Sequence, residues 1–119
     1  MRLKTDNPTD AGGRIMAGYG PSRIAVTIDS DLKDLVAGYL KNRHHDVETL
    51  RASLHKGDFE TLRILGHSMK GSGGGYGFDR ITELGAALEQ EAKKYNAAVL
   101  AALTEELSGY LDRLEIVYG

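Results

Sequence analysis

From Asp29 onward the apolar residues recur at helical spacing. Leu32, Leu35, Val36, Tyr39 and Leu40 follow the i, i+3, i+4, i+7, i+8 pattern of a helix with one buried face, and Asp29 or Ser30 stands where an N-cap is needed. At about 100° per residue Val47, Leu50 and Leu54 return to the same stripe. The spacing therefore predicts a helix to about His55, unbroken or kinked near Arg43 and Asp46, ending at Lys56-Gly57 with a basic residue and a terminal glycine. Asp58 opens a second helix that aligns Phe59, Leu62, Leu65, Gly66 and Met69 and is closed by the run Gly71 to Gly77. A third starts near Phe78, with Asp79 in its first turn, and aligns Ile81, Leu84, Gly85, Leu88 and Ala92 before Lys93-Lys94. Asn96 caps a fourth, whose stripe is Val99, Leu100, Leu103, Leu107, Tyr110, Leu111, Leu114 and Val117. Four amphipathic helices on short connections bury their stripes by folding up and down. The predicted class is all-α, an antiparallel four-helix bundle over residues 29–119.

The first 28 residues read differently. Gly12, Gly13, Gly18, Gly20, Pro8 and Pro21 interrupt any helix or strand, which predicts a flexible arm. Ile24, Val26 and Ile28 then alternate with Ala25 and Thr27 as in a strand, but no second strand is evident to pair with it. An extended lead-in packed on the bundle is expected instead.

Length and charge narrow the function. A chain of 119 residues has room for one core. The net charge is −2, and of the fifteen basic side chains four lie in the first 28 residues, which leaves the bundle acidic and argues against nucleic-acid binding. There is no cysteine, hence no disulfide framework or thiolate metal site, and no apolar run long enough for a membrane span or secretory leader. The expectation is a monomer in the cytoplasm with no membrane association.

The second helix carries the unusual residues. His67 lies about 140° from Leu62 and so faces solvent. On its face are Arg63, Ile64, Lys70, Gly71 and Gly74, a nucleophile with cations one turn to either side and little side-chain bulk beyond. Glycine within a helix costs about 0.8–1 kcal/mol relative to alanine, so Gly66, Gly71, Gly73 and Gly74 require a reason. Close approach of a partner's backbone is one; close packing of a neighbouring helix is another, and suffices for Gly66 and Gly73 on the core side. The glycine run is no nucleotide loop. It has no preceding strand and no following Lys-Ser/Thr, and Tyr76 and Phe78 break G-x-G-x-x-G. His44 and His45 diverge by about 100° and no i, i+4 histidine pair exists, so no metal is expected; with His55 they read as surface residues.

His67-x-x-Lys70-Gly71-Ser72 followed by Gly74, Gly77 and an apolar residue, then Leu84-Gly85 and Leu88-Glu89, resembles the histidine-containing phosphotransfer (HPt) domain family. The likeness covers residues 30–118 in architecture and 59–92 in motif. It implies that His67 is the phosphoacceptor, that Lys70 steadies the phosphoryl group, and that Gly71 and Gly74 give a response-regulator receiver domain room to dock beside Arg63 and Ile64. It also implies that Glu89 hydrogen-bonds the acceptor ring, although by spacing alone Glu89 flanks its stripe by about 80° and reads equally as a solvated boundary charge. The partners implied are receiver domains, that of a hybrid sensor kinase among them, and Mg²⁺ belongs to the receiver rather than to this chain. The competing reading is a silent helical adaptor that binds receivers without transfer. An autonomous kinase or phosphatase is not expected, since the 119 residues hold neither an ATP-binding module nor a metal constellation.

Overall fold

The structure, a computed structural model, describes residues 22–119. Four helices carry the fold: α1 (Lys33–Lys56), α2 (Phe59–Ser72), α3 (Asp79–Lys93) and α4 (Ala97–Arg113). Each packs against its chain neighbours, and α1 closes the ring against α4. This is the antiparallel up-and-down bundle that the four stripes predict. The predicted arm falls on residues 1–21, outside those described.

The helix ends follow the local chemistry. Asp58 accepts from Thr61 N–H at 3.1 Å and from the Thr61 hydroxyl at 2.7 Å, capping α2, and Asn96 accepts from Val99 N–H to cap α4. Asp29 caps a short 3₁₀ turn, Ser30–Leu32, rather than α1 itself. The core holds Val36, Leu50, Leu62, Met69, Phe78, Ile81, Leu84, Leu88, Leu100 and Leu107, each essentially inaccessible. Leu35 departs from the expected stripe and is 59% exposed. Val36 lies 100° round the helix from it and takes the inward position, which puts Leu35 beyond the edge of the buried face.

The largest correction concerns the two ends of the described chain. Ile24–Ile28 does have a strand partner. It forms β1 and pairs in parallel with β2 (Leu114–Tyr118), in the register Ile24↔Leu114 to Ile28↔Tyr118. The fourth helix accordingly stops at Arg113, and Leu114 is extended (φ −63°, ψ 134°), rather than continuing through Val117. Leu114 and Val117 fit a helical stripe, but Leu114, Ile116 and Tyr118 fit an alternating one equally well. Ile116, Val117 and Tyr118 are of the β-branched and aromatic types that suit a strand. The tie is decided by β1, whose Ile28 is buried in the core and whose Ile24 and Val26 pack on it beside Leu114, Ile116 and Tyr118.

The glycine run ends α2 at Ser72 and makes a second 3₁₀ turn, Gly74–Tyr76, after which Gly77 is left-handed (φ 92°) and Phe78 plunges into the core. Tyr39 of α1 stacks on Tyr76 (centroids 4.3 Å) and its hydroxyl shares a hydrogen bond with Ser72 at 2.9 Å. These contacts pin the C-terminal end of α2 to α1.

Candidate functional site

Two glycines set the site. A Cβ on Gly66 would lie 2.6 Å from Glu89 N and 2.8 Å from Gly85 O, and one on Gly85 would lie 2.7 Å from Gly66 O and 2.8 Å from Met69 Cβ. At those positions α2 and α3 touch backbone to backbone, and only residues without a side chain permit it. The helices are antiparallel about the Phe78 turn, with His67 eleven residues before it and Glu89 eleven after. The two residues therefore meet at one level.

His67 lies on the outer face of α2, opposite Leu62, Gly66 and Met69, with its side chain 66% exposed. Its Nδ1 lies 2.9 Å from Glu89 Oε2. Facing an ionised carboxylate, Nδ1 is the nitrogen that carries the proton and donates, so the Nε2 lone pair points outward to solvent. Lys70, one turn on, places Nζ 2.8 Å from Glu89 Oε1. Glu89 is 5% exposed, so the boundary position is an interior one: the close approach of α2 and α3 lets the His67 ring and the Lys70 stem cover it. The Lys70 ammonium foremost, and the His67 contact after it, hold the Glu89 carboxyl below its ordinary value of 4.5 against the opposing effect of desolvation. Such a group contributes stability above its unfolded pKa, and the contribution is lost as pH falls through the lowered folded value.

The other expected residues are distributed around this triad. Arg63, one turn before His67, is half-buried and paired with Glu60 at 2.7 Å. Ile64 is 51% exposed. Gly71 is exposed and a Cβ there would meet nothing within 4 Å. Gly74 differs from the sequence picture. It lies beyond the end of α2, where a helical count no longer applies, and its N–H donates to Thr82 Oγ1 at 2.8 Å. Gly73, on the core side, is held against Thr82 and Phe78 by the same close packing as Gly66. His44, His45 and His55 are exposed on α1.

The triad predicts how Glu89 variants behave. Glu89→Ala removes the acceptor of Nδ1–H and should populate both ring tautomers, visible in the ¹⁵N shifts of the His67 imidazole. Glu89→Gln keeps an acceptor oxygen and should stay closer to the wild-type tautomer ratio. A tautomer ratio unchanged in both variants would remove Glu89 from ring orientation.

A family model described as the Hpt domain matches residues 34–115. Among curated proteins and solved structures, none matches the chain. Within the described residues no helix is long and apolar enough to cross a membrane.

Proposed function

From the premise that the chain belongs to the Hpt domain family, whose members serve phosphotransfer in phosphorelays and interact with receiver domains, we propose that His67 is the phosphoacceptor. In this reading Nε2 attacks the phosphorus of an aspartyl phosphate on one receiver. The P–N bond forms as the P–O bond to the aspartate breaks, and the carboxylate leaves with the electron pair. A second receiver aspartate reverses the step and the pair returns to Nε2. One observation carries the proposal: an exposed imidazole whose Nδ1–H is held by Glu89, leaving Nε2 open to solvent.

The supporting electrostatics are local. The phosphorylated ring keeps its Nδ1 proton and gains positive character, which the Glu89 carboxylate beneath it stabilises. Lys70, now on Glu89 Oε1, is one side-chain swing from phosphoryl oxygens on Nε2 and would offset their charge. Gly71 leaves the approach open, and Arg63 and Ile64 border it. Phosphoryl transfer is mostly positioning and electrostatics, so a single exposed ring suffices if the receiver brings the aspartate and Mg²⁺. The proposed setting is the cytoplasm.

Incubation with a receiver domain phosphorylated by acetyl phosphate should place one label on the protein, acid-labile and base-stable as a phosphoramidate is, with none from ATP alone. Receiver binding without any label would instead identify the silent adaptor.

A further inference from the structure

Two helices of the bundle end in the same hydrogen-bonded turn, and only one of them ends on glycine. At the close of α1 Gly57 N–H donates to Leu54 O at 3.2 Å and Asp58 N–H to Ser53 O at 2.8 Å, with Gly57 left-handed at φ +70°. At the close of α3 Tyr95 N–H donates to Ala92 O and Asn96 N–H to Glu91 O, both at 3.1 Å, and the left-handed residue, at φ +57°, is Tyr95. Among the described residues no other non-glycine residue has positive φ. A side chain at this position meets a steric penalty that glycine avoids. The Tyr95 ring makes one aromatic contact within the fold, edge-on to Phe59 at 5.2 Å, and is otherwise open to solvent at 72% exposure. A bulky exposed ring where the backbone favours glycine implies a use outside the fold.

The surroundings of Tyr95 say what that use is. With Asp58, Phe59, Glu60, Arg63 and Lys93 it lines an open groove of about 490 Å³. The groove continues the seam that holds the phosphotransfer site. Below the His67–Glu89 pair lie Arg63, four residues before His67, and Lys93, four after Glu89; below those lie Phe59 and Tyr95. Phe59 is about 12 Å from His67 along α2. A partner of ordinary interface size covers about 800 Å² of each surface, a patch about 16 Å in radius, so a receiver centred on His67 reaches the groove. Arg63 is paired with Glu60 and Asp58 is held by Thr61, whereas Lys93 has no ion pair among the described residues, so the groove sets two rings beside the Lys93 ammonium.

We propose that this groove is the part of the docking face that selects among receivers, taking an apolar side chain against Tyr95 and Phe59 with a carboxylate beside Lys93. The proposal rests on the receiver-docking reading above. Because neither Tyr95 nor Lys93 pairs with the His67 ring or the Glu89 carboxylate, their role lies in affinity and not in the chemistry.

The test is titration of the full chain against a panel of isolated receiver domains from the source organism, with Mg²⁺, reading binding separately from transfer. Tyr95→Gly relaxes the left-handed turn and should melt at or above the wild-type temperature, yet raise the Kd of the best-binding receiver about 10-fold, as loss of an interface aromatic does. Lys93→Glu should raise it about 3- to 10-fold at low salt and less at high salt. If both variants bind that receiver like wild type, the groove proposal is overturned while transfer to His67 is untouched. If binding depends on Tyr95 and Lys93 but no receiver labels the chain, the groove stands and the transfer reading fails.

Discussion

Replacing His67 with glutamine should reduce receiver-dependent labelling at least about 1,000-fold, to background, while leaving the bundle intact. In the proposed transfer the nucleophile is a lone pair on Nε2, and an amide nitrogen has none available. Glutamine is the informative replacement because its NH₂ can donate to Glu89 as Nδ1–H does, so the buried carboxylate keeps a donor besides Lys70. The side chain is 66% exposed, so the change in stability should stay within about 0.5 kcal/mol. Labelling and urea unfolding of the same sample separate lost chemistry from lost structure. Label persisting at the wild-type level would move the acceptor elsewhere, and the exposed His44, His45 and His55 would be the positions to map.

The second large effect is expected at Gly85, on the buried side of the same seam. Gly85→Ala gains helix propensity, chiefly by reducing unfolded-chain freedom, by about 0.4–1 kcal/mol. Against this, the new methyl would sit 2.7 Å from Gly66 O and 2.8 Å from Met69 Cβ and would also meet Lys70 N, most of it backbone that cannot rotate away. Relief requires α2 and α3 to separate along their length. Overpacking of this kind costs about 1–3 kcal/mol at ordinary core sites. With backbone on both sides, the clash should outweigh the propensity gain and leave a net loss of about 2 kcal/mol, a fall in Tm of about 10 °C for a domain of this size. Separation also draws Glu89 away from His67, so the transfer rate measured well below the melting range should fall too. A variant as stable and as active as wild type would show that the close approach is dispensable.

Both effects originate in one stretch of chain, and that stretch is largely legible in the amino-acid sequence. The four helices, their caps at Asp58 and Asn96 and the outward direction of His67 follow from local rules: apolar spacing sets which face is buried, and 100° per residue sets where the histidine points. Lys70 and Gly71 follow from the same count. These properties need only the chain within one or two turns.

What the sequence left open depended on residues far apart along it. Glu89 reads as buried or solvated depending on how near α2 comes to α3, and that distance is fixed by Gly66 and Gly85 together rather than by either alone. The run from Leu114 to Tyr118 satisfies helical and extended spacing alike, and it became a strand because Ile24–Ile28, near the other end of the described chain, offered it a ladder. Gly74 lies past the end of α2 with its N–H held by the Thr82 hydroxyl of the next helix, a contact that counting along one helix does not reveal. Tyr95 gave no signal in apolar spacing, since its meaning lies in a backbone angle and in the groove it shares with Phe59 and Lys93. Local periodicity determined the elements and the orientation of the His67 ring. Tertiary packing alone decided which boundary residues are buried and what they hold, because burial and partner choice depend on the distance between elements, and no single element encodes that distance.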